Sequence, residues 1–171
     1  MIYVGIDPGK SGAVAMVQGW DQKLTIEKMP GEVFSISELF RKIKAGAEAN
    51  GEKIRAVLEK VHSMPGDGSV QAFAFGQNVG QLEGVLATLG IPVAEAVPQR
   101  WMRYIPGMPV PKHEKGVKKT QAQKVAEKKA RKEYIHEWVQ KRHGRSIFLY
   151  AADAVAIATV APMIWGAENG N

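Results

Sequence analysis

The sequence contains no cysteine, so disulfide bonds, cysteine-based zinc sites and thiol nucleophiles are excluded. No apolar run looks long enough to cross a bilayer, and the first residues, MIYVGIDPGK, do not have the pattern of a signal peptide. From these absences we expect a cytoplasmic protein that has no membrane partner.

The chain has 171 residues, which is an ordinary size for one domain. Hydrophobic residues make up 45% of the sequence, and this fraction is enough for a substantial core. No internal repeat is visible in the sequence. We therefore expect a single domain over residues 1–171.

Positive charge is concentrated in one segment. The whole chain has a net charge of +6, but residues 112–145 contain 12 Lys and Arg against 4 Asp and Glu, while the rest of the chain is slightly acidic. A clustered basic segment most often binds a polyanion, and the commonest one is nucleic acid. The alternative is a solvated, lysine-rich helix face without a partner.

The first half of the sequence predicts three strands, a helix and a fourth strand. Apolar runs and alternating patterns indicate strands at 2–7, 11–18, 23–29 and 54–61. Ser35 and Glu38 have the spacing of a capping box, which predicts that a helix begins there. The buried face of this helix is expected to consist of Ile36, Leu39, Phe40, Ile43 and Ala47.

A long helix is predicted at about 70–89, and Gly90 is its expected stop. Gly76, Gly80 and Gly84 share one face of this helix. Each interior glycine costs roughly 1 kcal/mol relative to alanine. The cost indicates that something packs closely on this face, which could be the sheet, a second subunit or DNA.

The remaining sequence predicts a strand at 91–97, a basic region of mobile loop and helix at about 106–141, and an apolar helix at 150–164. Thr120 and Gln123 resemble a second capping box at the start of the basic helix. The order β-β-β-α-β-α-β-α-α predicts an α/β fold in which a mixed five-stranded sheet has helices on both faces.

Three acidic residues lie in unusually apolar surroundings. Asp7 ends the first strand, Glu59 lies in an otherwise apolar strand, and Asp153 lies in the most apolar helix. Each has an ordinary structural explanation: a turn cap, a strand-end charge, and a favourable charge at a helix N-terminus. Adjacent central strands and a helix packed on them could instead bring all three together, and such carboxylates need a partner or a cation.

Clustered carboxylates bind hard divalent cations through oxygen. Two such ions can support phosphodiester cleavage. The absence of cysteine and the presence of only 4 histidines favour Mg²⁺ or Mn²⁺ over zinc. The sequence therefore predicts a metal-dependent nuclease.

Five segments, taken in order, resemble the RuvC family of Holliday junction resolvases over nearly the whole chain. They are GIDPGKSGAVA, LEKVHSMPG, FGQNVGQLEGVLATLGIPV, KTQAQ and AADAVAIA. The resemblance implies an RNase H-like fold of the retroviral integrase superfamily and a homodimer that binds four-way DNA junctions. It also implies symmetric cleavage with Mg²⁺ or Mn²⁺, two ions per active site. The long basic region is similar to that of phage-encoded relatives, which would act in the host cytoplasm.

The resemblance also assigns roles to individual residues. It implies that Asp7, Glu59 and Asp153 are catalytic metal ligands and that Lys119 lies near the scissile phosphate. Arg103 is implied as a second basic contact, and His62 occupies the position of an aromatic wedge that opens the junction. The basic segment itself leads us to expect phosphate contacts from several of the following residues: Lys112, Lys115, Lys118, Lys124, Lys128, Lys129, Arg131 and Lys132.

One position departs from the family pattern. The family commonly has a fourth acid or a histidine one helical turn before its last aspartate, and Tyr150 stands there in this chain. A phenol titrates near pH 10, so it is a poor Mg²⁺ ligand at neutral pH. Either Tyr150 packs away from the site and water completes the coordination, or its hydroxyl orients a carboxylate.

Three other interpretations stay open at this point. A different nuclease of the same fold, such as an RNase H or a transposase-like enzyme, would share the acids. An actin-like ATPase would share the GIDPG start, but it needs a much longer chain. A binding protein without catalytic activity would use the acids only structurally.

Overall fold

The structure is a computed structural model that describes residues 1–19, 23–60, 68–109 and 120–168. The strands are β1 (Ile2–Asp7), β2 (Ala13–Gln18), β3 (Lys23–Lys28), β4 (Ile54–Glu59) and β5 (Val93–Ala96). The helices are α1 (Val33–Ala49), α2 (Ser69–Thr88), α3 (Pro98–Met102), α4 (Gln121–His143) and α5 (Ala152–Glu168). A 3₁₀ turn at Leu149–Ala151 leads into α5.

The five strands form one sheet in the order β3-β2-β1-β4-β5. β1, β2 and β3 make an antiparallel meander, whereas β4 pairs in parallel with both β1 and β5. β1 and β4 are mostly apolar because a central strand is covered on both faces. The edge strand β3 carries Lys23, Glu27 and Lys28, charges that oppose pairing with another sheet. The predicted mixed sheet is confirmed.

Side-chain alternation along the strands separates two cores. Ile2, Val4 and Ile6 of β1 belong to the core that α1 and α2 cover. The intervening Tyr3 belongs to the second core, which α3, α4 and α5 cover. Odd-numbered positions of β1 therefore project towards α5, as do the odd-numbered positions of β4, where Val57 belongs to the second core.

α5 lies directly on β1. A Cβ built on Gly5 would overlap the backbone oxygen of Ala154 and the backbone nitrogen of Ala158. Only glycine fits at this position, because the helix backbone occupies the space that any side chain would need. The close approach fixes the first turn of α5, which carries Asp153, over the end of β1.

We expected no apolar run that could cross a bilayer, and by the criteria of length and composition this expectation is wrong. Leu149–Ala167 is long and apolar enough to do so, with a mean hydropathy of 1.4. However, 56% of this window is buried inside the molecule, where α5 packs on the sheet and α4. It has the features of a core helix, which is apolar for the same physical reason as a membrane span.

Ser35 is not the N-cap of α1. Glu32 has the extended backbone of an N-cap, its carbonyl accepts from the Ile36 N–H, and no side-chain cap bond is present. Val33 and Phe34 are exposed, so water can satisfy the first N–H groups of the helix. The rest of the predicted face is buried, except that Leu39 is only partly buried.

Several boundaries also differ from the predictions. β2 starts at Ala13 because Gly12 and Gly9 close a turn before it. β5 is shorter than predicted because Ile91 bonds back to the end of α2, and Val97 is already the N-cap of α3. α3, with Pro98 in its first turn, was absent from the predicted order.

The ends of the remaining helices also differ. Gly144, in the left-handed conformation, ends α4 two residues later than predicted. The last helix begins with the 3₁₀ turn and continues beyond residue 164. The Thr120 and Gln123 capping box is confirmed.

The glycine face of α2 does not pack on the sheet. Gly76, Gly80 and Gly84 are exposed, and no described atom lies within 4 Å of a Cβ built on any of them. Of the three expected explanations for this face, packing on the sheet is therefore wrong. A second subunit and DNA stay predictions.

Gly5→Ala should destabilise the protein by at least about 2 kcal/mol, because α5 must move away from β1 or distort. Gly46→Ala is a matched control on α1, where no described atom is near and alanine should stabilise the helix by up to about 1 kcal/mol. Urea unfolding of both variants measures the difference. Equal stability of Gly5→Ala and the wild type would contradict the close approach.

Candidate active site

Asp7 and Glu59 lie side by side at one edge of the sheet. Each is the last residue of its strand, and the parallel register pairs Ile6 of β1 with Leu58 of β4. Both occupy odd positions, so both project towards α5. The sheet geometry thus brings together the first two acids identified in the sequence.

The two carboxyl groups lie close enough to interact directly, and their interaction raises the pKa of Asp7 and lowers that of Glu59. Burial, followed by the negative charges of Glu59 and Asp153, raises the pKa of Asp7 to about 8. Burial also raises the pKa of Glu59, although hydrogen bonds and the charge of Arg131 act in the opposite direction. Glu59 is only 7% exposed.

Asp153 is the second residue of α5 and completes the acidic site. Burial raises its pKa, and the charges of Lys132, Arg131 and Lys128 oppose that rise. Its Oδ1 atom is buried and has no hydrogen-bond partner within the described ranges. An unpartnered carboxylate oxygen in a buried position is costly, so this atom is suited to a ligand.

The turn after β1 holds Asp7 in place. The Gly9 N–H donates to Oδ1 of Asn78 on α2 at 2.8 Å, and Gly9 has a φ of 102° that favours glycine. The Gly12 N–H donates to the Gly9 carbonyl at 2.9 Å, and a Cβ on Gly12 would overlap the Asp7 carbonyl oxygen. The role of Asn78 had no signal in the sequence.

Three cations of α4 face the acids. Ile135 and Val139 are the buried residues through which α4 packs in the second core. Arg131 and Lys132 lie one turn before Ile135, and Lys128 lies one turn earlier, so they continue the same stripe of the helix. Their charges act on the carboxylates of the site.

Other basic residues of α4 are placed differently. Lys124 is exposed near the start of the helix, one turn before Lys128. Lys129 is exposed and lies 3.8 Å from the carboxylate of Glu133. Among the predicted phosphate contacts on α4, those that affect the pKa values of the acids are Lys128, Arg131 and Lys132.

Trp101 is a site residue that sequence reasoning missed. Its Nε1–H donates to Oε1 of Glu59 at 2.9 Å, and its side chain is completely buried. A tryptophan in a short segment after a strand gives no sign of this contact. Only the pairing of β5 with β4 brings it near Glu59.

Tyr150 and Arg103 lie at the surface. The Tyr150 ring is 37% exposed and stacks on Phe148, with ring centroids 5.6 Å apart. This position favours the expectation that Tyr150 packs away from the acids. Arg103 is exposed at the end of α3, where its guanidinium lies over the Tyr104 ring and donates to the Tyr104 hydroxyl at 2.9 Å.

Five predicted site residues lie outside the described residues, and their roles stay predictions: His62, Lys112, Lys115, Lys118 and Lys119.

The donor set suits a hard divalent cation. All three acids offer oxygen ligands, and Asp153 has an oxygen that lacks a partner. As they stand, no three acidic or histidine side chains of the described segments converge closely enough to hold one ion. The oxygen donors of the acids and the unpartnered Oδ1 of Asp153 nevertheless match the ligands that a hard cation prefers. The residues therefore fit Mg²⁺ or Mn²⁺.

No protein-family model matches the sequence, and no curated protein matches it either. The fold is similar to a solved structure of Thermus thermophilus RuvC in complex with Holliday junction substrate. The TM-score is 0.61 at 17% identity, covering 99% of this chain and 97% of that chain. A second structure of Thermus thermophilus RuvC gives a TM-score of 0.59 at 19% identity, covering 98% and 97%. The predicted RuvC-like fold is confirmed.

The raised pKa of Asp7 predicts how stability depends on pH. From about pH 4 to about pH 8, the folded, metal-free chain holds a proton that the unfolded chain has lost. This contribution to stability is therefore fully present at low pH and is lost as the pH rises through about 8. Asp7→Asn should remove it and flatten the pH dependence by at most about 1.4 kcal/mol per pH unit.

Urea unfolding of the wild type and Asp7→Asn with a metal chelator, at several pH values across this range, measures the effect. Glu27→Gln, on the exposed edge strand β3, is the control and should keep the wild-type slope. Identical slopes for Asp7→Asn and the wild type would contradict the raised pKa.

Proposed function

We propose that this protein is a Holliday junction resolvase, a divalent-metal-dependent endonuclease that cuts four-way DNA junctions symmetrically. The observation that carries the proposal is the meeting of Asp7, Glu59 and Asp153 beside a basic helix, within a RuvC-like fold. The compared RuvC structure contains a Holliday junction substrate, which supports the same class of substrate here.

Asp7, Glu59 and Asp153 are the residues that would hold the metal. Two divalent ions, when bound, supply activation of a water molecule and stabilisation of the leaving oxygen. The raised pKa of Asp7 means that it must lose a proton before it binds a cation, so metal binding is coupled to proton loss and strengthens as the pH rises. Asp153 contributes its unpartnered Oδ1 without losing a hydrogen bond.

The basic stripe of α4 would bind and orient the DNA backbone. Lys128, Arg131 and Lys132 face the carboxylates, so a phosphodiester that they hold lies next to the acids. Without these cations, the negative charge of the acids would repel a phosphate. We extend the proposal to Lys119, which precedes α4 directly in the chain and would stabilise charge near the scissile phosphate.

Symmetric cleavage of a junction needs two active sites, and each chain supplies one. A two-fold homodimer would provide both. The exposed glycine face of α2 supports this arrangement, because helices approach closely where side chains are small. Beside it lies a groove of about 550 Å³ between α1 and α2, where Phe34 is 69% exposed. We propose that this surface lies at the subunit interface.

The substitutions Asp7→Asn, Glu59→Gln and Asp153→Asn should each lower cleavage of a four-way junction by at least about 100-fold. Each removes a metal ligand, and metal catalysis contributes several kcal/mol of transition-state stabilisation. Binding of the junction should remain, because it depends on the cations. The assay compares a four-way junction, duplex DNA and an RNA–DNA hybrid, with and without Mg²⁺.

Glu27→Gln, on the exposed edge strand β3, is again the matched control and should cleave normally. Preferred cleavage of the RNA–DNA hybrid would indicate an RNase H instead. Binding of the junction without cleavage of any substrate would indicate a binding protein. Near-normal Mg²⁺-dependent cleavage by Asp7→Asn would refute the assignment of the acids.

Replacing Lys128, Arg131 and Lys132 with glutamine should weaken junction binding and its dependence on salt. The slope of log K against log salt should become shallower by roughly 0.9 for each phosphate that the variant no longer neutralises. The control removes the same charge at other exposed positions, Lys23, Lys42 and Lys53. Fluorescence anisotropy over a salt series measures both. The proposal fails for this stripe if the two triple variants give the same slope.

A further inference from the structure

Trp101 is both fully buried and hydrogen-bonded to the candidate active site. It is the largest completely buried side chain among the described residues, and its only polar group contacts an acid of the candidate active site. A buried indole N–H needs an acceptor, and backbone carbonyls are the most abundant ones in a protein core. Here the acceptor is the side chain of Glu59.

The path of the chain brings Trp101 to this position. β5 pairs with β4 so that Ala96 lies opposite Glu59, and the Lys60 N–H donates to the Ala96 carbonyl at 3.0 Å. Val97 then caps α3, a short helix that brings the chain back over the end of β4. Trp101 therefore packs in the second core, on the same side of the sheet as Glu59.

The hydrogen bond fixes an otherwise flexible side chain. Glutamate has three rotatable side-chain bonds, and losing their freedom on binding a metal lowers affinity. Trp101 holds Oε1, so the carboxylate plane of Glu59 is set before any metal arrives. An indole N–H only donates, so it stabilises the ionised carboxylate that a cation needs.

We propose that Trp101 is a positioning residue, whose indole N–H holds Glu59 in the orientation in which it binds the divalent cation. This inference rests on the proposed function, because it requires Glu59 to be a metal ligand. Hydrogen bonds to metal-binding carboxylates typically contribute 10- to 100-fold, as an order of magnitude, to metal affinity or activity.

Trp101→Phe tests the proposal because it keeps an aromatic ring and removes the donor. The substitution should weaken Mn²⁺ binding to the DNA-free protein about 10-fold or more. Electron paramagnetic resonance, which detects the free ion, measures this affinity. The Mg²⁺ concentration for half-maximal junction cleavage should rise by a similar factor. Cleavage at saturating Mg²⁺ should change much less.

Trp165→Phe is the matched control. The Trp165 Nε1–H donates to the Ala56 carbonyl of the same strand, β4, at 3.2 Å, and the residue is half-buried on α5. This substitution removes an indole N–H that donates to the backbone of β4 rather than to a carboxylate. It should lower thermal stability but leave Mn²⁺ affinity within about 2-fold of the wild type, a change of roughly 0.4 kcal/mol.

Thermal unfolding separates the hydrogen bond from packing. A positioning role predicts that the Mn²⁺ affinity of Trp101→Phe falls well below that of Trp165→Phe even where the two variants have similar thermal stability. A purely structural role predicts that Mn²⁺ affinity follows thermal stability across the two variants.

Glu59→Gln separates failure of this inference from failure of the proposed function. If Glu59→Gln binds Mn²⁺ and cleaves junctions normally, Glu59 is not a ligand and the proposed function is wrong for this residue. If Glu59→Gln loses both while Trp101→Phe keeps wild-type Mn²⁺ affinity, Glu59 is a ligand and the positioning role of Trp101 is overturned.

Discussion

Helix α5 lies so close to β1 at Gly5 that a single methyl group there would overlap the helix backbone. The contact is possible because α5 presents alanines, such as Ala154 and Ala158, to a strand that has no side chain at this point. The position of Asp153 in the acidic site follows from it. Asp153 begins the helix, so the depth at which α5 packs sets the distance from Asp153 to Asp7 and Glu59. A glycine inside a buried strand thereby has a catalytic consequence under the proposed function.

The acidic site also depends on the positive charges that face its carboxylates. Burial disfavours the charged form of all three carboxylates, and the negative charges of Glu59 and Asp153 raise the pKa of Asp7 further. The positive charges of the Lys128, Arg131 and Lys132 stripe act in the opposite direction on Asp153. Only Ile135 and Val139 of α4 are buried, so the half of the helix before them is held by little packing. The cations that balance the acids are thus exposed enough to bind a phosphate as well.

The sequence predicted the sheet, most helix positions and the three acids, because each has a local signal. A carboxylate in an apolar strand, as at Glu59, is visible without any structure. The start of α1 was misplaced because the Ser35 and Glu38 spacing is compatible with a position inside a helix. Trp101 could not be predicted, since its contact joins residues 42 positions apart through the pairing of β4 and β5. The glycine face of α2 indicated that something packs closely on this helix, but the sequence did not identify the packing partner.

A different set of contacts holds each of the three acids, and the differences follow from the lengths of their side chains. Asp7 is short, so its position is largely that of its backbone, which the turn and the Asn78 hydrogen bond fix. Asp153 is equally short, and the packing of α5 on Gly5 fixes it. Glu59 has one more rotatable bond, so fixing the backbone of β4 leaves its carboxylate free to swing. A side-chain donor such as the Trp101 indole is therefore needed at the glutamate, where backbone geometry alone cannot set the carboxylate orientation.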